Sequence, residues 1–459
     1  MKDVTDSLKS GNWRALVACF LYFGSGFTAW VLFGPLAPFI ARTIKMTAAE
    51  QGFLVAVPVL SAAILRVPLG NLYQSADGRA IALFGVGLCA IPTVVLPLMP
   101  FEPTYGALLV LGVLLGVGGA SFSVALPMAG SNYPPQVQGL VLGIAAAGNI
   151  GAVLDGFFLP PLATHFGWRI AVGAAFPVLA VSALALYVWS SDASPKSGSA
   201  ARAFAGLVLT LFGLIAIALL FDAGFLGGGG ARVLLMPVFG VALAVAVLPR
   251  QARAVLIERD AWVMMLVYGI TFGGFVGMSS YVSLLLMNLY QFSTIEAGFV
   301  MALLAATGAL ARPLGGLIAD KVSGVHALLV LLAAIAVADL AFAAAIPPVA
   351  AGIALLTGLY LAFGLGNGAL FQLVPHRWRG RTGLMSGIVG AAGGIGGFYL
   401  PVAMGLAKQS TGSYQMGFAT FGSLAAFAFV ALLMLRKSWM AWATPPESID
   451  RPALVSNAG

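Results

Sequence analysis

The chain has 459 residues, of which 60% are apolar and only 8% are charged, and its formal net charge is +8. Soluble globular proteins carry about 25% charged residues, so this composition excludes that class and indicates a polytopic helical membrane protein. Two cysteines and three histidines, without ligand spacing, predict neither a disulfide framework nor a metal site. No metal and no other cofactor is expected.

Segments of about 20 apolar residues are long enough to cross a bilayer, and the sequence contains fourteen of them. The first twelve residues are polar and lead directly into the first segment, so no cleavable signal peptide is expected. The predicted spans are 14–40, 48–74, 80–100, 105–131, 137–163, 168–190, 203–221, 231–249, 261–288, 294–319, 325–346, 350–374, 383–407 and 414–436.

The second span has a close copy in the tenth span. TAAEQGFLVAVPVLSAAILRVPLGNL starts at residue 47, and STIEAGFVMALLAATGALARPLGGL starts at residue 293. At a constant offset of 246 residues, Glu50 matches Glu296 and Arg66 matches Arg312. The hydroxyl residue and glutamate that open each copy form a capping-box pattern, which predicts a helix start at both places.

This repeat divides the chain into two six-helix halves. The fold class is therefore an all-α polytopic membrane protein with two six-helix halves and a two-helix central insertion. We interpret the apolar hairpin 203–249, with GGGG at 227–230, as a lipid-facing insertion outside any transport path. The predicted boundaries are 1–190 for the first half, 191–260 for the central linker, 261–437 for the second half and 438–459 for a cytoplasmic tail.

Lysine and arginine are distributed unequally between the two sides of the membrane. With the N-terminus inside, sixteen of the 23 basic residues lie on the cytoplasmic side and five on the opposite side. This bias predicts a multi-pass protein of the cytoplasmic (inner) membrane with both termini in the cytoplasm. It also accounts for the basic net charge without a nucleic-acid partner.

Arg66 and Arg312 both lie within apolar spans. A charged residue in the hydrocarbon costs about 2.5–3.5 kcal/mol on insertion scales, so such residues usually face a cavity or a partner. The same costly residue in both halves predicts one site built from the two copies. The alternative is that each arginine extends along its helix to the membrane interface.

The fifth and thirteenth spans are rich in glycine. Residues 139–161 read GLVLGIAAAGNIGAVLDGFFLPP, and residues 383–401 read GLMSGIVGAAGGIGGFYLP. Small residues at every fourth position let two helix backbones approach closely, which would by itself explain any single glycine. The density of glycine around Asn149 exceeds what packing requires. Asn149 lies near the middle of the membrane core, where its amide needs a partner, and an anion is one candidate.

A short loop motif points to a known superfamily. The major facilitator superfamily carries G-x-x-x-D-R/K between the second and third helices of each half, and GLIADK at 316–321 fits it. The first copy, GNLYQS at 70–75, has glutamine where aspartate is expected. Two six-helix halves with this loop resemble that superfamily, whose substrate site lies near the membrane midplane between the halves.

Within that superfamily, the chain resembles the nitrate/nitrite porter family. The two glycine-rich segments are similar to that family's paired nitrate-signature motifs, and GNGALFQLVP at 366–375 is similar to its tenth core helix. The resemblance covers the whole core and excludes only the hairpin. It implies a substrate site formed by Arg66, Arg312, Asn149, Tyr268, Phe272, Phe122, Gly148, Gly393 and Gly394, with Phe122 the weaker match.

The resemblance implies a secondary active transporter of nitrate, and of nitrite, that works by alternating access and acts as a monomer in the lipid bilayer. Moving a monovalent anion into an inside-negative cell costs about 2.3 kcal/mol for each 100 mV of membrane potential. Proton symport is therefore preferred, with Asp155 as the proton-coupling candidate and Asp339 as a structural residue. The alternatives are nitrate/nitrite exchange, a different organic-anion or drug transporter, and a channel or receptor. No motif of an enzyme is present.

Overall fold

The computed structural model describes residues 10–134, 137–224, 231–247, 253–378 and 382–443. Within these ranges the regular structure is helical, without a strand. Thirteen helices are long and apolar enough to cross a membrane, and one further apolar helix is shorter. Thirteen of the fourteen predicted spans are therefore found in the predicted order, and the eighth is the helix Val233–Val247, which is shorter than the other thirteen.

We number these helices in chain order. Their bounds are α1 Trp13–Thr43, α2 Ala48–Ser75, α3 Gly78–Leu98, α4 Tyr105–Gly130, α5 Val141–Phe166, α6 Trp168–Trp189, α7 Ala200–Asp222, α8 Val233–Val247, α9 Arg259–Tyr290, α10 Thr294–Val322, α11 Gly324–Ala344, α12 Val349–Arg377, α13 Thr382–Thr411 and α14 Gln415–Ala443.

Both predicted capping boxes form. The Thr47 hydroxyl accepts a hydrogen bond from the Glu50 N–H at 3.2 Å, and the Glu50 carboxylate accepts one from the Thr47 N–H at 2.7 Å. Ser293 and Glu296 repeat these contacts at 3.3 and 2.8 Å. Each pair satisfies two backbone donors that lack a partner within the helix, so the two glutamates mark helix starts.

The two halves meet where α2 packs against α13 and α10 packs against α5. A Cβ atom placed on Gly52 would lie 2.4 Å from the Pro401 carbonyl oxygen. Gly298, the repeat partner of Gly52, stands in the same relation to Pro160, with its Cβ 2.4 Å from the proline Cγ. We call these two contacts the closed end. Both contacts depend on the glycine, because a side chain at either position would collide with the facing helix.

The glycine-rich helix α5 is not a continuous α-helix. Residues Ala147–Ile150 form a 3-10 turn between two α-helical pieces. A tighter turn in the middle of a helix frequently marks a functional position. Gly148 in this turn packs against Gly24 and Phe23 of α1, where a Cβ would lie 2.7 Å from the Gly24 nitrogen.

The central hairpin, α7 and α8, packs against the core on one face. The Phe221 ring of α7 lies 5.5 Å from the Phe53 ring of α2. The Tyr399 hydroxyl of α13 donates a hydrogen bond to the Leu234 carbonyl oxygen at 3.1 Å, so the hairpin contacts both halves. On the other face Phe212 is 65% exposed. The interpretation of the hairpin as lipid-facing therefore holds for one face only.

The loop between α2 and α3 carries no aspartate at the expected position, and Asp192 supplies a carboxylate there. Its oxygens accept hydrogen bonds from the Tyr73 hydroxyl and the Gly78 N–H, both at 2.9 Å. The Lys196 ammonium group lies 2.5 Å away. Burial tends to raise the pKa of Asp192, but donors from Lys196, Ser194 and Tyr73 outweigh burial and hold that pKa below its ordinary value. Through these hydrogen bonds, Asp192 holds the segment after α6 against the loop between α2 and α3.

The last helix is longer than the sequence predicted. It continues to Ala443, past the predicted end of the second half at residue 437. Trp439 is fully buried, and its indole N–H donates a hydrogen bond to Asp260 at 2.9 Å, which holds this extra turn against α9. The rest of the predicted tail, 444–459, lies outside the described residues.

Candidate functional site

Arg66 lies in the middle of the molecule rather than at the membrane interface. Its residue exposure is 2%, which contradicts the alternative in which the side chain reaches water. Its Nε donates a hydrogen bond to the Gly119 carbonyl oxygen of α4 at 3.2 Å, and its Nη1 donates to the Gly390 carbonyl oxygen of α13. Its Nη2 is buried and has no hydrogen-bond partner within the described part of the chain. A buried donor without a partner is costly, and a ligand can remove that cost.

Three aromatic rings surround the Arg66 guanidinium. Its central carbon lies 5.4 Å from the centre of Trp30, 5.1 Å from Phe122 and 5.4 Å from Phe272. Such cation–π contacts stabilise a desolvated guanidinium group and fix its plane. Phe122, the weaker sequence match, is therefore part of this environment.

Arg312 has a corresponding environment in the second half. Its central carbon lies 5.7 Å from the centre of the Phe371 ring, and its Nη1 is buried without a hydrogen-bond partner. Phe371 contacts Tyr268, and Tyr268 stacks on Phe272, which contacts Arg66, so the two arginines lie at the two ends of one row of rings. The residues predicted from the 246-residue repeat are thus brought to one place.

A row of three rings joins the two arginines. Phe272 and Tyr268 stack in parallel with their centres 5.0 Å apart, and Tyr268 meets Phe371 edge-on at 5.1 Å. One end of the row contacts Arg66 and the other end contacts Arg312. The site therefore has two cationic ends and an aromatic wall.

Among the described residues, no carboxylate pairs with either arginine of this site. Two cations at the two ends of one row of rings, each with a buried N–H donor that has no partner among the described residues, create a strong preference for an anion. Two planar guanidinium groups favour a small anion whose oxygens can accept paired hydrogen bonds.

The glycines of α13 bring its backbone against the aromatic wall. A Cβ on Gly393 would lie 2.5 Å from the Tyr268 ring and 2.8 Å from Phe272. Gly394 packs on the other side, where a Cβ would lie 2.6 Å from that of Ala63 on α2. These glycines let α13 lie between α9 and α2, and this position carries the Gly390 carbonyl to Arg66.

Asn149 lies in the 3-10 turn of α5 and is 4% exposed. Its side-chain oxygen is buried and has no hydrogen-bond partner. The turn reaches the aromatic cage indirectly, because Gly148 packs on Phe23, and Phe23 lies 5.5 Å from Phe122. These contacts belong to the neighbouring Gly148, so the contact of Asn149 with a ligand stays a prediction.

Asp155 and Asp339 are both buried carboxyl groups, in different places. Asp155 hydrogen-bonds with Thr28 of α1, and its Oδ2 has no partner. The next residue along α5, Gly156, packs against Gly298 in the closed end. Asp339 packs against Gly422 of α14, and both of its oxygens lack a partner among the described residues. Neither carboxyl forms an ion pair with Arg66 or Arg312.

The sequence interpretation missed Trp30 as a site residue. Trp30 lies in the middle of α1, and its indole N–H donates a hydrogen bond to the Pro58 carbonyl oxygen of α2 at 3.0 Å. Tryptophan normally concentrates at the membrane interface, so a tryptophan in mid-span was the available signal. The acceptors Gly119 and Gly390 carried no such signal, because they use backbone carbonyl groups.

Comparison with known proteins agrees with the fold. The model of the Major Facilitator Superfamily matches residues 18–401. The POT family transporter PepTSo superposes with a TM-score of 0.70 at 13% identity, over 93% of this chain and 98% of that one. The xylose transporter XylE from E. coli superposes with a TM-score of 0.63 at 14% identity, over 93% of this chain and 99% of that one. The chain is therefore a transporter of the major facilitator type and not an enzyme.

Relatives with higher sequence identity identify the family within this superfamily. The chain is 33% identical over 383 residues to the "Probable nitrate/nitrite transporter NarK2" of Mycobacterium tuberculosis, covering 83% of this chain and 85% of the relative. It is 30% identical over 424 residues to the "Nitrite extrusion protein" of Bacillus subtilis, covering 91% of this chain and 92% of that relative. The chain belongs to the nitrate/nitrite porter family of the Major Facilitator Superfamily.

Proposed function

We propose that this protein carries nitrate and nitrite across the cytoplasmic membrane by alternating access. The observation that carries the proposal is the pair of guanidinium groups at the two ends of one aromatic wall, that of Arg66 buried and that of Arg312 half-buried, each with a buried nitrogen that has no partner among the described residues. The names of the relatives supply the choice of anion.

The chemistry of nitrate suits this arrangement. Nitrate is planar, carries one delocalised charge and presents three equivalent oxygens. The fork of a guanidinium group matches two such oxygens, and each of the two arginines can take part of the ion. The flat faces of Phe272 and Tyr268 give the anion a surface to pack against, so shape as well as charge favours a planar ion over a tetrahedral one.

Alternating access is supported by the location of the two arginines in different halves of the chain. Arg66 belongs to the first half and Arg312 to the second, so an anion that binds both guanidinium groups joins the two halves at the site. Transport then requires the closed end, with its contacts Gly52–Pro401 and Gly298–Pro160, to separate. With both termini in the cytoplasm, as the basic residues predict, the closed end faces outward. Since one chain supplies both arginines, we propose that a monomer is sufficient.

For coupling, we propose proton symport with Asp155 as the proton site. An isolated carboxylate is costly in a dry interior, so a buried carboxyl takes up a proton readily. Asp155 adjoins the closed end, where opening would change its access to water. Nitrate/nitrite exchange is the second candidate, and the absence of an ion pair between Asp155 and either arginine favours it.

The test uses the full chain purified into liposomes, with nitrate uptake followed under two driving forces. We expect an inside-alkaline pH gradient to drive nitrate uptake without internal nitrite. Uptake that ignores the gradient and requires internal nitrite would overturn symport and establish exchange. Failure of nitrate and nitrite to compete with each other would overturn the proposed site, and uptake of larger organic anions instead would identify a different transporter.

A further inference from the structure

A groove of about 270 Å³ lies between the first turn of α9 and the last turns of α14. It is lined by Arg259, Trp262, Val263, Ala431, Met434 and Leu435. We propose that this groove binds an anionic phospholipid, with an acyl chain along the apolar lining and the phosphate held by Arg259 and Lys437. This lipid site is separate from the anion site between the halves.

The groove has the layout that an amphiphile requires. Arg259, Trp262 and Val263 follow helical spacing and form one wall, from the charged start of α9 towards the membrane interior. The facing stripe on α14 is wholly apolar at the lining positions. Lys437 comes one turn after Met434, so it stands on the same end of the groove as Arg259.

The charge at this end is positive and uncompensated. Asp260 points away from the groove and accepts hydrogen bonds from Arg377 at 2.6 Å and Trp439 at 2.9 Å. Arg259 and Lys437 are exposed, and neither forms an ion pair with any described carboxylate. A pair of exposed basic residues beside an apolar groove at the membrane surface complements an anionic headgroup rather than a zwitterionic one.

Trp262 fixes the depth of this groove in the membrane. Its ring is 58% exposed, while its indole N–H donates a hydrogen bond to the Leu256 carbonyl oxygen at 2.7 Å. Tryptophan with a polar contact on one side and an exposed ring on the other is typical of the headgroup level. Arg259 lies one turn closer to water, at the level of lipid phosphates.

The experiment titrates the detergent-purified full chain with dioleoylphosphatidylglycerol or dioleoylphosphatidylcholine and counts bound lipids by native mass spectrometry. We expect at least fivefold tighter binding of phosphatidylglycerol. The double variant Arg259→Gln with Lys437→Gln should lose this preference. Arg202→Gln, which removes an exposed arginine at the start of α7, should keep it. Equal affinities in the wild type, or an unchanged preference in the double variant, would overturn the proposal.

Two further measurements separate a defined site from diffuse attraction. Ala431→Phe fills the apolar part of the groove without changing the charge, and it should weaken phosphatidylglycerol binding at least threefold. In liposomes, subtracting the tryptophan fluorescence of Trp262→Phe from that of the wild type gives the emission of Trp262 alone. Brominated phosphatidylglycerol should quench this component more than brominated phosphatidylcholine does. Equal quenching, or full binding by Ala431→Phe, contradicts a lipid seated in this groove, even if a charge variant fails to fold.

Discussion

The Nη1 nitrogen of Arg66 on α2 donates a hydrogen bond to the Gly390 carbonyl oxygen on α13, and so links the two halves in the buried interior of the protein. A Cβ on Gly390 would lie 3.3 Å from the Arg66 Nη1 nitrogen and 3.9 Å from the Phe122 ring. The carbonyl thus holds one side of the guanidinium, and Nη2 stays available. We expect a bound anion to use this free nitrogen.

Both arginines should be required for binding. Arg66→Lys and Arg312→Lys each keep the positive charge but lose the planar fork, so the affinity for nitrate should fall at least tenfold, about 1.4 kcal/mol. Competition of unlabelled nitrate against labelled nitrate uptake in liposomes measures this affinity.

The matched control for this prediction is Arg42→Lys, at the exposed end of α1. It should leave the affinity unchanged. If both lysine variants in the core bind nitrate like the wild type, the two-arginine clamp is wrong.

Gly393→Ala should disturb the aromatic wall. The new Cβ would lie 2.5 Å from the Tyr268 ring, so the ring must move, and we expect at least a tenfold loss of nitrate affinity. Gly387→Ala is the control on the same helix, because a Cβ there meets nothing within 4 Å. That variant should transport normally and gain about 1 kcal/mol of helix stability at most. Equal behaviour of the two variants would refute a special role for Gly393.

Asn149→Ala should impair nitrate uptake without reducing the folded amount, because it removes the amide N–H donors that we propose for the anion; the side-chain oxygen, an acceptor, has no partner among the described residues. Initial uptake rates and the yield of monodisperse protein measure the two effects. Asn288→Ala, which removes an amide that donates to the Leu284 carbonyl oxygen, should leave uptake unchanged. Normal transport by Asn149→Ala, or failure to fold, would assign Asn149 to packing.

Asp155→Asn should abolish uptake driven by a pH gradient and spare nitrate/nitrite counterflow, because asparagine keeps the size of the side chain and cannot carry the proton. Asp339→Asn, at the other buried carboxyl, should spare both modes. Parallel assays in one liposome preparation measure them. Loss of counterflow in Asp155→Asn would show a structural role, and retention of gradient-driven uptake would remove Asp155 from coupling.

Replacing the hairpin 203–249 with a polar linker of similar span should leave nitrate uptake measurable, since none of the aromatic or arginine contacts of the site involves α7 or α8. The melting temperature should fall, because the replacement exposes the Phe53 ring that Phe221 now covers. Uptake assays and thermal unfolding of the purified protein test both statements. Complete loss of uptake with correct membrane insertion would place the hairpin in the mechanism.

The sequence by itself determined the helices, their order and the paired arginines. A bilayer requires about 20 apolar residues per span with every backbone group bonded internally, so spans can be counted along the chain. The capping boxes of Glu50 and Glu296 were equally local, because each needs only four consecutive residues. Arg66 and Arg312 stood out because charge inside such spans is rare.

Only the tertiary structure decided which groups surround those arginines. In a membrane, the lipid and the protein interior are both apolar, so the pattern of apolar residues along a helix does not show which face meets a partner. Trp30, Phe371 and the carbonyl groups of Gly119 and Gly390 reach the site through packing between helices distant in sequence. For the same reason, the side of the core that the hairpin covers, and the position of Asp155 beside the closed end, could not be determined from the sequence alone.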